Sequence, residues 1–203
     1  MEVVKIVTEL VDSNIYIVKN GKKGLLIDCG TYDVQNLEAR IKNADVEITD
    51  VLLTHGHFDH AAGAKALQEK GYKIYIHKND AEKLCTFKNM AVFMGFHFDK
   101  LKADVLLKGN ETLNIAGLEI EVIPTPGHSA GSVCYKTGNV IFTGDTVFRL
   151  GYGRTDFPDG DFDTLKASIN ALFALEGDYK LYCGHYDDST LSFERRNNPV
   201  LID

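Results

Sequence analysis

No run of lysine or arginine occurs in this 203-residue sequence, which carries a net charge of -7. Nucleic-acid phosphates need clustered cations, so a DNA or RNA partner is not expected. No stretch approaches the 18 or so apolar residues of a membrane span, and no membrane association is expected. The opening Met1-Glu2-Val3-Val4-Lys5 reads as a strand and lacks a secretion signal's apolar core, so the expected location is cytoplasmic. No C-x-x-C pair exists among Cys29, Cys85, Cys134 and Cys183, which removes the usual redox and structural-zinc motifs. These thiols are expected to be free and mostly buried, even Cys183, two residues before His185. No G-x-S-x-G is present, so no serine-hydrolase elbow exists. Linkers, low-complexity segments and repeats are also missing. With 44% hydrophobic residues, the chain can bury a sizeable core, and one domain over residues 1–203 is expected.

What is present is concentrated in Thr54-His55-Gly56-His57-Phe58-Asp59-His60. Three imidazoles and a carboxylate follow the apolar run Val51-Leu52-Leu53, which reads as a buried strand over 50–54. His55 and His57, two apart, can point the same way, while Asp59 and His60 open the next helix, expected over about 60–70. Imidazole binds zinc, iron and manganese, and a carboxylate adds charge neutralisation. The plainer alternative makes Asp59 a helix cap and the histidines loop residues. The complete H-x-H-x-D-H string between strand and helix favours a metal site.

Three further candidates stand at strand ends: His128 in Pro-Thr-Pro-Gly-His-Ser, Asp145 in Thr-Gly-Asp-Thr, and His185 in Cys-Gly-His. Each follows an apolar strand and a glycine, which lets backbone and metal approach closely. Singly, each reads as an ordinary turn. Together with the opening string they supply five histidines and two aspartates, enough for two ions. His77 and His97 lack this setting and are left as structural or solvated.

Strands are expected at about 3–7, 14–19, 24–28, 73–77, 113–115, 118–123, 132–136, 139–143 and 179–183. Helices are expected at 34–42 and 162–175, with a short one from Asn79 as its cap. Strands then helices, twice over, suggest two mixed sheets packed together with helices on the outer faces, an α/β sandwich. Residues 86–103, with Phe87, Met90, Phe93, Met94, Phe96 and Phe98, fit either core packing, the preferred reading, or an apolar lip over the site.

The motifs H-x-H-x-D-H, P-G-H-S, T-G-D-T and G-H, in this order over most of the chain, resemble the metallo-β-lactamase superfamily. The resemblance implies an αβ/βα four-layer sandwich with a two-metal site at the edge of the sheets. It implies His55, His57 and His128 on one ion, Asp59, His60 and His185 on the other, and Asp145 bridging. Two divalent ions are the expected cofactors, zinc first, with iron or manganese as alternatives. The segments from Thr143 to Asp156, from Gly153 to Leu165, and from Thr190 to Pro199 are similar to the glyoxalase II-like hydrolases, especially small bacterial members. The chain departs from them in ending at 203, without the C-terminal helical domain that holds much of the glutathione, and in Tyr186-Asp187-Asp188 after His185. Arg154 falls where longer relatives place a basic residue that meets glutathione; the plainer reading pairs it with Asp156 or Asp159.

Two close cations lower the pKa of a shared water, and Asp59 can orient it or take its proton. No extra general acid is evident, which suits a leaving thiolate, with a pKa near ~8.5, better than an amine. The expected function is hydrolysis of a small-molecule thioester of the S-2-hydroxyacylglutathione type. The alternatives are a mono-iron persulfide dioxygenase, a lactone or β-lactam hydrolase, and a metal-binding sensor without catalysis. Oligomeric state is not legible.

Overall fold

The computed structural model describes residues 1–202. Its first sheet runs in the order β1 (Glu2–Val7), β2 (Asn14–Asn20), β3 (Lys23–Ile27), β4 (Glu47–Leu52), β5 (Lys73–His77) and β6 (Val105–Leu107). The first three strands are antiparallel, and β3 to β6 are parallel. A two-stranded ribbon follows the second sheet's centre, formed by β11 (Val147–Phe148) and β12 (Gly151–Tyr152). The second sheet itself contains β7 (Thr112–Ile115), β8 (Leu118–Pro124), β9 (Val133–Thr137), β10 (Val140–Gly144), β13 (Lys180–Cys183) and β14 (Ser189–Thr190). Its spatial order is β14-β13-β10-β9-β8-β7, with only β10 and β13 parallel.

Alternation along the strands divides the core into three slabs. In β2, Tyr16 and Val18 enter the space between the sheets, while Ile15 and Ile17 face the other way. In β10, Val140 and Phe142 take the shared core and Ile141 turns outward. The outer face of the first sheet is covered by α1 (Val34–Asn43), α2 (Phe58–Ala61) and α3 (Ala64–Glu69), through Leu37, Ile41, Ala61 and Leu67. The second sheet is covered by α4 (Phe162–Phe173) and α5 (Leu191–Asn197), through Leu165, Ile169, Leu172 and Leu191. The four-layer sandwich expected from the sequence is the observed architecture.

Several local expectations shift. The helix expected over 60–70 is broken into α2 and α3 because residues 29–31 enter its hydrogen-bond ladder. The Cys29 N–H donates to the His60 carbonyl (2.8 Å), and the Gly63 N–H donates to the Cys29 carbonyl (2.9 Å). A Cβ on Gly63 would lie 2.8 Å from that carbonyl oxygen, so only glycine admits the insertion. The strand placed at 50–54 spans Glu47–Leu52 and stops two residues before His55. The helix expected from Asn79 is a 3-10 turn, Ala81–Cys85, preceded by Asp80, whose side chain serves other partners. The β11–β12 ribbon, β14, α5 and the placement of β6 in the first sheet are additional to the sequence reading. Asp161 caps α4, accepting from the Thr164 N–H at 2.8 Å.

The 86–103 segment divides between the two readings. Met90 and Ala91 are buried, whereas Phe87, Val92, Phe93 and Met94 are exposed. Cys29, Cys134 and Cys183 are buried free thiols and Cys85 is partly buried. Burial pushes the Cys183 thiol up to about 12, so it supplies no thiolate to its neighbour His185. No helix among the described residues is long and apolar enough to cross a membrane.

Candidate metal centre

All seven donors meet where the carboxyl ends of β4, β8, β10 and β13 open at one edge of the sandwich. His57 is the N-cap position of α2, so Asp59 and His60 lie inside its single turn and Asp59 does not cap it. His128, Asp145 and His185 arrive from the second sheet. Their ligand atoms form three overlapping groups, His55-His57-His128, His55-His60-Asp145 and Asp59-His60-His185, each within 4.8 Å. His128 Nε2 lies 2.9 Å from His57 Nδ1 and 3.3 Å from His55 Nε2. Asp59 Oδ2 lies 3.2 Å from His185 Nε2 and 3.6 Å from His60 Nε2. Asp145 spans both groups: Oδ1 is 3.2 Å from His60 Nε2, and Oδ2 is 3.5 Å from both His128 Nε2 and His185 Nε2.

The outer nitrogens show what the inner ones offer. His128 Nδ1 donates to the Arg154 carbonyl (2.7 Å), and His185 Nδ1 to the Val11 carbonyl (3.1 Å). His60 Nδ1 donates to Asp28 Oδ2 (2.9 Å). Thr54 Oγ1 gives its own proton to Asp28 (2.8 Å) and therefore accepts from His55 Nδ1 (3.1 Å). With these N–H groups committed outward, the inner nitrogens of His55, His60, His128 and His185 in their neutral forms are lone pairs turned into the cluster, while His57 Nε2 is buried without a partner. Asp145 Oδ1 is also buried without a hydrogen-bond donor. Lone pairs facing lone pairs repel unless protons or cations lie between them, so the residues fit divalent metal ions of the kind bound by nitrogen and oxygen.

The two halves of the cluster differ electrostatically. Burial and the neighbouring His128 push His57 down to about 3, and burial with the adjacent imidazoles holds His55 well below its ordinary value. His55 and His57 are therefore neutral at physiological pH. In the other half burial opposes the charged form, but the Asp145 and Asp59 carboxylates prevail, raising His60 well above its usual range and His185 to about 9. Although burial also opposes their charged forms, both carboxylates are held below their usual range, His60 acting most strongly on each. In metal-free protein, protons occupy the place of a cation. His185 is raised in the folded state, so its contribution to stability is complete below about 6.5 and is lost as pH rises through about 9. Thermal melts of metal-stripped protein should therefore show Tm falling between these values. A flat or rising Tm would reject this account, and metal titrations in buffers of different ionisation enthalpy should show proton release.

Residues that sequence reasoning did not select hold the ligand loops. Asp28 also accepts from the Thr54 N–H (2.7 Å), joining the end of β3 to the segment after β4. Asp80 is fully buried and accepts from the Gly56 N–H (2.8 Å), the Gly131 N–H (2.7 Å) and the Ser129 hydroxyl (2.8 Å). It thereby locks the loop carrying His57 to the loop carrying His128. Buried Lys83 pairs with Asp80 at 3.0 Å and with Asp159. Apart from Lys83, three positions from Asp80, the partners these carboxylates hold in the ligand loops lie 24 or more positions away, so no local signal marks them.

The glycines before the ligands have different reasons for being there. A Cβ on Gly184 would lie 2.3 Å from Asp145 Oδ1, a close approach to the centre itself. One on Gly127 would meet the backbone of Leu165 at 2.2 Å, so that glycine admits α4 rather than a metal. Arg154 pairs with Asp156 through two 2.6 Å hydrogen bonds and lies over the Phe157 ring at 4.2 Å. Its carbonyl, not its guanidinium, touches the ligand set. His77 is buried in β5, and exposed His97 pairs with Asp99, so neither joins the cluster.

The cluster floors a cleft of about 470 Å³ whose walls include Val11, Met94, Phe148, Leu150, Phe157 and Tyr186. A hydroxyacylglutathione hydrolase, GloC of Haemophilus influenzae, is 34% identical over 89% of this chain and 88% of its own length. The crystal structure of a B3 metallo-beta-lactamase, BLEG-1, superposes with a TM-score of 0.94 at 30% identity, covering all of both chains. That of TTHA1623 in a di-iron-bound form gives 0.86 at 31% identity, over 98% of this chain and 99% of that one. Residues 8–185, the span from before β2 through the last histidine of the cluster, match the Metallo-beta-lactamase superfamily, and to that superfamily this chain belongs.

Proposed function

We propose that the protein is a binuclear metallohydrolase that cleaves thioesters of the S-2-hydroxyacylglutathione type. The observation that carries this reading is the convergence of seven donors in two halves, one of imidazoles alone and one bearing carboxylates. His55, His57 and His128 would hold one ion, Asp59, His60 and His185 the second, and Asp145 both. When bound, such ions supply Lewis acidity toward a carbonyl oxygen and lower the pKa of water. Ionised Asp59, next to His185 and open to the cleft, is placed to orient the attacking water and accept its proton.

The leaving group decides between substrates. Outside the ligand cluster the cleft walls carry apolar side chains, two arginines and the phenols of Tyr152 and Tyr186. No carboxyl or imidazole is among these, which favours departure as a thiolate. The similarity to a hydroxyacylglutathione hydrolase supports the same choice. Arg154 is the proposed contact for an anionic substrate group, in exchange for its exposed pairing with Asp156. A second reading, β-lactam hydrolysis, is favoured by the likeness to a metallo-beta-lactamase over the whole chain.

The test is turnover of S-2-hydroxyacylglutathiones, other thioesters, lactones and β-lactams by the purified metal-loaded protein, with elemental analysis. Two ions per chain and highest kcat/KM on thioesters are expected. Preference for a β-lactam would install the second reading, and one iron per chain with persulfide consumption would install a dioxygenase.

A further inference from the structure

We propose that the rim of the metal cleft binds an apolar arm of the substrate, either its acyl group or its thiol; the inference rests on the hydrolase reading for the reaction itself. Apart from aspartate and asparagine, the non-glycine residues with positive φ among those described are Val11, Met90, Ala116, Leu150 and Tyr186. Met90 is buried, and Ala116 is a small residue in the tight β7–β8 turn. The other three, at φ 54°, 55° and 61°, all line the cleft. This backbone region suits glycine, and a β-branched valine or a bulky side chain there is an outlier.

These three conformations are clamped from behind. The Val11 carbonyl accepts from His185 Nδ1 at 3.1 Å. The Leu150 N–H donates to Glu194 Oε2 at 3.1 Å, and that carboxylate is fully buried. The Tyr186 carbonyl accepts from Asn14 Nδ2 at 3.1 Å and from the Lys5 ammonium. Strained backbone persists where its surroundings over-determine it, and such sites cluster where function needs them.

The side chains so presented are not packed away: Val11, Leu150 and Tyr186 remain 50%, 52% and 71% exposed. A core role would have buried them, and a plain turn would be better served by glycine at each position. What the strain secures is an apolar edge next to the metal ligands. Tyr186 lies edge-to-face on Phe148 at 5.5 Å, and exposed Met94 and the ring of Phe157 line the same cleft. Contiguous exposed apolar surface beside a reactive centre marks a ligand contact.

The experiment measures kcat/KM of the metal-loaded protein in two series. One varies the acyl group (acetyl, hexanoyl, phenylacetyl) on N-acetylcysteamine; the other varies the thiol (N-acetylcysteamine, benzyl mercaptan) under an acetyl group. Titration calorimetry compares Kd for 4-phenylbutyrate and acetate, a readout independent of turnover. A gain of roughly tenfold with apolar size is expected, the effect of burying about two methylenes, and the series that shows it identifies the arm. Leu150→Gly and Tyr186→Gly should bring the ratios toward one while leaving Tm unchanged or higher, because glycine relieves the backbone. Equal Kd values and flat series in the parent would overturn the inference and leave thioester hydrolysis standing. Absent turnover with the Kd preference intact, and lost in the glycine variants, would support the rim while rejecting thioesters. Self-association abolished by the glycine variants, with unchanged Kd ratios, would assign the rim to a second copy and overturn it.

Discussion

Asp145→Ala is expected to bind fewer than two metal ions per chain and to lose roughly 100-fold or more in kcat/KM, as expected when several kcal/mol of metal-ion stabilisation are removed. The reason is position. Its Oδ1 reaches His60 and its Oδ2 reaches both His128 and His185, at 3.2 to 3.5 Å, so this one carboxylate contacts both halves of the cluster. Removing it also removes the strongest influence raising His185, so the metal-stripped variant should lose the parent's decline in Tm toward pH 9. Elemental analysis and melts at several pH values check both effects. Full metal content with unchanged activity would contradict the bridging role.

Asp28→Asn is the second large effect, although the residue touches no metal in the proposed scheme. Its carboxylate accepts from the Thr54 N–H, the Thr54 hydroxyl and His60 Nδ1 in a site almost closed to solvent. An amide keeps one accepting oxygen and turns its NH2 toward donors. Leaving such groups unpaired costs about 1–3 kcal/mol each, so a net loss of about 3 kcal/mol is expected. Metal affinity should fall about 10–100-fold, because His55 and His60 lose the partners that fix their rings. Asparagine tolerates the φ of 60° at this position, which separates the effect from backbone strain. Denaturation and metal titration at parental values would reject it.

These two residues also mark where the sequence is legible. Asp145 is visible because an apolar strand, a glycine and a ligand type occur together, and the same device marks His128 and His185. The H-x-H-x-D-H run needs only a strand, a turn and a helix that its own neighbours specify. Asp28 follows a strand too, but its meaning depends on Thr54 and His60, 26 and 32 positions away. Asp80 is hidden for the same reason: its acceptors' work is done for Gly56 and Gly131 on different sheets' loops. Periodicity drew one helix across Gly63, and a chain crossing from Cys29 divided it. Local pattern fixes elements and their ends, whereas long-range hydrogen bonds decide which ends are held.

The split origin of the donor set bears on how the molecule assembles. The first sheet brings four donors within six consecutive positions, and the second brings three that are spread over residues 128–185. A nascent chain thus exposes a compact chelating run long before its remaining partners are synthesised. An ion bound by that run would be enclosed only when the sheets close over Tyr16, Tyr135 and Phe142. The identity of the resident ions can then reflect supply during biosynthesis as well as equilibrium preference.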